Sequence, residues 1–94
     1  MGELAAKIRS RIEAEKYLVG LHASERLEER GIMEWQVIAA IDDAVVLRER
    51  QDARPNPAVE FLMNLPDGTE FKSVWSHLSH SDVAKLVTVH FLDS

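Results

Sequence analysis

The sequence predicts an α+β domain in which two to three N-terminal helices pack on one face of a four-stranded antiparallel sheet. Apolar residues recur at three- and four-residue spacing up to residue 42, as in amphipathic helices, and at a spacing of two after residue 44, as in half-buried strands. A chain of 94 residues is long enough for one such domain with a single core. We therefore expect one domain over residues 1–94, with a helical part at 2–42 and a β-meander at 44–92.

Three helices are predicted, over 2–17, 23–30 and 33–42. Gly20 and Gly31 follow the first two, where glycine readily adopts the left-handed conformation that ends a helix. The residues expected to face the core are Leu4, Ala5, Ile8, Ile12, Ala23, Leu27, Trp35, Val37, Ile38 and Ile41.

Four strands are predicted, over 44–49, 59–65, 71–78 and 85–92. The Asp67-Gly68 pair is typical of a hairpin turn between the second and third. The last strand is the most apolar, so we expect it in the interior of the sheet. In the third strand, the alternation places Phe71, Ser73, Trp75 and His77 on one face and Lys72, Val74 and Ser76 on the other.

Composition excludes several function classes. The chain has no cysteine, which removes disulfides and thiolate chemistry, and it lacks a phosphate-binding loop, a dinucleotide motif and a serine-hydrolase elbow, so no cofactor is expected. No signal-peptide run or membrane span stands out, and we expect a cytoplasmic domain with no membrane partner. The net charge of −5 disfavours RNA as a partner unless cations cluster locally.

The most specific feature is a helical stripe formed by His22, Arg26 and Arg30 at successive i, i+4 positions. An imidazole and two guanidiniums on one helix face suit an anion or phosphate site. The same arginines lie among four glutamates, at positions 25, 28, 29 and 34. Ordinary ion pairs, at the surface or tethering the helix to the sheet, are therefore an interpretation favoured at least as much as phosphate binding.

This segment, His22-Ala23-x-x-Arg26-Leu27-x-x-Arg30-Gly31-Ile32, resembles the signature of a bacterial family known as domain of unknown function 4258, and Val87-Thr88-Val89 resembles its closing strand. Met33 departs from that pattern, since the family usually has Ser or Thr there to cap the next helix. The family is similar at fold level to RelE-like, barnase-like and BrnT-type ribonuclease toxins. The resemblance implies helices on a four-stranded antiparallel sheet and suggests metal-independent RNA cleavage as an activity.

Such cleavage needs a base, an acid and cations for the phosphate. If the last strand packs beside the second helix, His22 and His90 are the candidate catalytic pair, and Arg26, Arg30 and Lys72 are the candidate substrate-binding cations. We expect His90 to share its strand face with Thr88, Leu86 and Leu92. The competing interpretation makes His22 a capping or packed residue, His90 a hydrogen-bonded core or edge residue, and Lys72 a solvated surface residue.

Other patterns are weaker. His77, His80 and Asp82 resemble a zinc ligand set, but they span a strand end and a loop, so no metal site is expected. Trp35 and Trp75 are predicted to be core anchors.

The sequence supports two hypotheses about function. The favoured hypothesis is a non-catalytic interaction module that keeps a toxin-like fold and binds an antitoxin-like protein or a second copy, with the apolar stripe of the first helix as one candidate contact surface. The alternative is a metal-independent RelE-like ribonuclease, the toxin of a toxin–antitoxin pair. If the chain is an enzyme, it is this endoribonuclease.

Overall fold

A computed structural model describes residues 2–92 of the chain. Its three helices are Glu3–Glu13 (α1), Leu21–Glu29 (α2) and Glu34–Ala40 (α3), the last followed by a 3-10 turn at Ile41–Asp43. Its strands are Tyr17–Val19 (β1), Val45–Arg50 (β2), Ala58–Asn64 (β3), Glu70–Leu78 (β4) and Val83–Phe91 (β5). No helix within this range is long and apolar enough to cross a membrane.

The sheet has five strands in the order β1-β5-β4-β3-β2, not the four antiparallel strands expected. The strands from β2 to β5 form the predicted antiparallel meander, with β5 in the interior of the sheet. The additional strand, β1, pairs in parallel with β5 through Tyr17, Leu18 and Val19. The α+β class is therefore right, and the strand count and the all-antiparallel pairing are wrong.

The fifth strand exists because α1 ends earlier than its pattern predicts. Glu15 adopts a left-handed conformation (φ 61°), which at helix ends is usually adopted by glycine or asparagine. The N–H of Glu15 bonds to the carbonyl of Ile12 and that of Lys16 to the carbonyl of Arg11, which closes a Schellman motif. The three residues that follow are thereby released to extend along β5.

All three helices cover the same face of the sheet and share one core with it. The apolar stripe of α1 is part of that core, with Ile8 fully buried, so this stripe packs on its own sheet. Trp75 is also fully buried, as predicted, but Trp35 is 67% exposed, against expectation. Val37 is the buried residue of α3, and Trp35, two positions earlier, projects about 160° away around the helix.

A bulge in β5 changes the face that its residues occupy. The register shifts so that Val74 pairs with Thr88 and Trp75 with Leu86, which leaves Val87 as the extra residue. Leu86 therefore faces the core, where it is 1% exposed, whereas the expectation placed it beside His90. Leu92, also expected there, lies beyond the end of the strand.

Gly20 sets the position of α2 beside β5. Its N–H bonds to the carbonyl of Leu86 at 2.8 Å, and a Cβ added at this position would lie 3.0 Å from that same oxygen. Glycine thus allows β1 to end and α2 to begin in close contact with β5. α2 then packs on β5 through Ala23 and Leu27, which brings the polar side of the helix near the second half of that strand.

Candidate functional site

The face of the sheet opposite the helices carries an open groove of about 410 Å³, bounded by β2 to β5 and by the loop at 51–57. Its ionisable lining residues are Arg50, Arg54, Glu60, Lys72, Lys85 and His90. Four of them are permanent cations and one is a carboxylate, in a chain whose net charge is −5. The groove is therefore the local cluster of positive charge that an acidic protein would need to bind an anion.

Glu60 lies on the floor of the groove and is only 8% exposed. Its Oε2 forms an ion pair with Arg50 Nη2 at 2.7 Å, and its Oε1 lies 3.4 Å from Lys72 Nζ. Each carboxylate oxygen thus holds a cation from a different neighbouring strand. Neither Arg54 nor Lys85 makes an ion pair within residues 2–92. No carboxylate in this range therefore competes with a ligand for these two cations.

His90 stands on the same face, directly opposite Lys72 in the β4–β5 ladder. Desolvation lowers the pKa of His90 below its usual 6.5, and the charges of Lys72, Arg26 and His22 lower it further. Glu60 acts in the opposite direction with a smaller effect. Burial and the neighbouring cations therefore both favour the neutral imidazole of His90, and the same cations would attract an anion.

These charges show that His22 and Arg26 of α2 lie close enough to act on His90, in agreement with the packing of α2 on β5. Arg26 makes no ion pair with the α2 glutamates in the described part of the chain, and its buried Nε has no hydrogen-bond partner there. An unused buried donor is uncommon in folded proteins. The buried Oγ1 of Thr88, which lies two residues before His90 in β5, also lacks a hydrogen-bond partner among residues 2–92.

Of the five predicted site residues, Lys72 and His90 line the groove, whereas His22, Arg26 and Arg30 do not. The guanidinium of Arg30 lies over the ring of Phe91, 4.3 Å from the centroid, in a cation–π contact. It lines a separate depression with Asp67 and Glu70, and not the groove that contains His90. A role for Arg30 in binding substrate stays a prediction.

Arg50, Arg54, Glu60 and Lys85 were not predicted as site residues. The strand alternation does place Glu60 and Lys72 on the non-core face, since Phe61 and Phe71 occupy the other. Glu60 of β3 and Lys72 of β4 are thus charged residues on the open face of neighbouring strands, and this pattern is the signal that could have identified Glu60. Arg54 carries no such signal, because a loop brings it over the groove.

Two of the residues that resemble a zinc ligand set, His77 and Asp82, form a cluster with Arg11. Asp82 Oδ1 lies 2.8 Å from His77 Nε2 and 2.9 Å from Arg11 Nε, which joins β4, α1 and the turn before β5. These two partners lower the pKa of Asp82 to about 2, the hydrogen bond from Arg11 having the largest effect. Among residues 2–92, no three ligand-type side chains are grouped as a metal ion would require.

The groove can bind a phosphate through its cations and can exchange a proton through His90. A phosphate that enters must compete with Glu60 for Arg50 and Lys72, whereas Arg54 and Lys85 make no such pair among the described residues. Guanidinium groups suit this role because they donate two parallel hydrogen bonds to phosphate oxygens.

Comparison with known proteins places the chain in a family. The domain of unknown function DUF4258 matches residues 20–91, from the start of α2 to the end of β5. No curated protein and no solved structure gives a significant match, so the RelE-like layout stays a prediction. The matched segment includes His22, Arg26, Lys72 and His90 and covers well over half of the chain. The chain therefore belongs to the DUF4258 family of domains of unknown function.

Proposed function

We propose that this chain is an interaction module that binds RNA through the phosphate backbone, in the open groove of its sheet. The observation that carries the proposal is the charge of the groove: four cations and one carboxylate, in a protein that is acidic as a whole. Because phosphate neutralisation supplies most of the affinity for nucleic acids, a local cluster of this kind can bind RNA despite the global charge.

The composition of the groove also predicts how RNA would be recognised. No Phe, Tyr or Trp is among its lining residues, so the side chains on which unpaired bases usually stack are missing from its walls. Contacts to phosphate position a nucleic acid but carry no sequence information. We therefore expect binding with little sequence preference and with strong dependence on salt.

A charge-matched pair of double variants tests this proposal. Arg54→Gln with Lys85→Gln removes two cations from the groove, while Lys7→Gln with Lys16→Gln removes two exposed cations from outside it. Anisotropy of a labelled single-stranded RNA would be followed across salt concentrations. The groove variant should reduce the slope of log K against log salt by about 1.4, since each contact to single-stranded phosphate contributes about 0.7.

The control variant should bind nearly as the wild type does. Equal weakening by both double variants would show that only the overall charge matters. Absence of binding by the wild type at low salt would contradict the proposal directly.

Metal-independent RNA cleavage is a second candidate, favoured by the specific surroundings of His90. In this reaction the 2′-oxygen attacks the adjacent phosphorus, the bond to the 5′-oxygen breaks, and the products are a 2′,3′-cyclic phosphate and a free 5′-hydroxyl. A neutral His90 suits the base that takes the 2′-hydroxyl proton, His22 would supply the acid, and Arg26 with Lys72 would stabilise the phosphorane charge.

Product analysis separates the two candidates. If the chain is an enzyme, a cyclic phosphate should form, and the cleavage rate should fall at least about a hundredfold in His90→Ala and in His22→Ala. His80→Ala provides the control, because His80 is exposed and does not line the groove. RNA binding without cleavage would support the interaction module and remove the enzyme hypothesis.

A further inference from the structure

A second surface lies on the helical side of the molecule, away from the groove. Trp35 is 67% exposed and Met33 is 60% exposed, and the two lie two residues apart where α3 begins. Trp35 borders two depressions of about 440 and 410 Å³. We call Met33, Trp35 and the apolar walls of these depressions the Trp35 ridge; the walls are Leu27, Ile32, Ala39, Ala40, Leu65 and Pro66.

Local helix chemistry does not account for Met33. It occupies the N-cap position of α3 and provides no side-chain hydrogen bond to the helix. Gln36 instead satisfies the cap from the other direction, since its Oε1 accepts the Met33 backbone N–H at 2.8 Å. A flexible apolar side chain next to an exposed tryptophan is typical of protein-binding surfaces.

The charges around the ridge are all of one sign. Glu28 and Glu34 line the first depression and Asp43 lines the second, and neither depression has a lysine or arginine in its lining. A partner that covers Trp35 must therefore place its own charges against these carboxylates. Complementarity of this kind selects a cationic partner.

We propose that the Trp35 ridge docks a partner protein through a segment in which an apolar side chain is flanked by lysine or arginine. The apolar side chain packs beside Trp35, and the cations face Glu28, Glu34 and Asp43. This surface and the groove use no residue in common, so one molecule can hold a basic protein segment and an anionic polymer at the same time.

The test uses two synthetic amphipathic peptides with the same leucine pattern, one with lysine and one with glutamine at the polar positions. Labelled-peptide anisotropy gives affinities for the wild type, for Trp35→Ala and for Leu21→Ala. Leu21 provides the matched control, because it is 77% exposed and lines neither depression. In the unlabelled wild-type protein, tryptophan emission reports the site, since Trp75 is fully buried and Trp35 is not.

We expect the lysine peptide to bind saturably, to shift the tryptophan emission to shorter wavelength, and to bind about tenfold more weakly to Trp35→Ala. Leu21→Ala should leave the affinity unchanged, and the glutamine peptide should bind more weakly than the lysine peptide. Equal affinity of the lysine peptide for the wild type and for Trp35→Ala would overturn the proposal, because charge attraction alone would then explain binding. Self-association of the wild type in sedimentation experiments, abolished by Trp35→Ala, would also overturn it by identifying a second copy as the occupant.

Discussion

Lys72 and His90 face each other across β4 and β5 on the open side of the sheet, so an ammonium group stands beside an imidazole in the same groove. Desolvation, together with the charge of Lys72, lowers the pKa of His90 below 6.5. A bound phosphate would favour the protonated imidazole, because it adds negative charge to the same place.

This arrangement predicts that RNA binds more tightly as the pH falls below about 6.5. Protonation adds one positive charge next to the phosphate, which should raise the affinity by about threefold to tenfold between pH 7.5 and pH 5.5. The rise should be smaller in His90→Gln, and His80→Gln should retain it. Anisotropy titrations at constant ionic strength would measure the effect, and a pH profile unchanged by His90→Gln would contradict it.

Neutralising Glu60 should have opposite effects on binding and on stability. Glu60→Gln releases Arg50 and Lys72 from their ion pairs and removes the carboxylate that repels phosphate, so RNA affinity and its dependence on salt should both increase. The variant should also unfold more readily, by about 1 kcal/mol, because a nearly buried carboxylate that holds two cations becomes a neutral amide with a single acceptor oxygen.

Glu13→Gln removes the same charge at an exposed position on α1 and serves as the control. It should change neither quantity appreciably. If Glu60→Gln weakens RNA binding instead, Glu60 itself contacts the ligand or holds the cations in their binding geometry.

The sequence pattern predicted which residues share a face of the sheet better than it predicted where each helix and strand begins and ends. Alternation correctly placed Phe71, Ser73 and Trp75 together on one face, which is the buried face, because β4 is long enough for a period of two to be recognised. It missed β1 because three residues contain too little pattern. In addition, Glu15 ends α1 in a left-handed conformation that a glutamate at this position does not predict.

The candidate site was predictable in part for the same reason. The helical spacing of His22 and Arg26 is a local property, and the packing of α2 on β5 then carries both toward His90. The groove depends on contacts between distant segments. Arg50 approaches Glu60 only because β2 lies next to β3 at the end of the sheet, and no local pattern contains that register.

The cluster of Arg11, Asp82 and His77 predicts a loss of stability in acid. Its two partners lower the pKa of Asp82 to about 2, below the usual 3.8, so the folded state binds this proton less readily than the unfolded state. The contribution of the carboxylate is therefore nearly complete above about pH 5 and is lost as the pH falls toward 2. Asp82→Asn should be less stable than the wild type at pH 7, and the difference should shrink between pH 4 and pH 2.

Urea unfolding at several pH values would measure this, with Asp52→Asn as a control at an exposed turn position. Asparagine is the appropriate replacement, because Asp82 has a φ of 54° and asparagine also tolerates that region. A stability difference that does not change with pH would indicate that the amide disturbs the turn and that the charge is not responsible.

Glu49 of β2 should stabilise α1 by capping it from another element. Gly2, at the N-cap position, has no side chain to offer, and Glu49 Oε2 instead accepts the Ala5 N–H at 3.0 Å. The carboxylate also lies at the helix end where negative charge is favourable. Glu49→Ala should lower the free energy of unfolding by about 1 kcal/mol, as removal of a cap usually does, and Glu49→Gln should lose less because it keeps an acceptor. Denaturant unfolding would measure both variants, with Arg48→Ala at the neighbouring exposed position as the control. Equal stability of Glu49→Ala and Arg48→Ala would mean that burial of Ile8 and the rest of the α1 stripe holds this helix to the sheet without help from the cap.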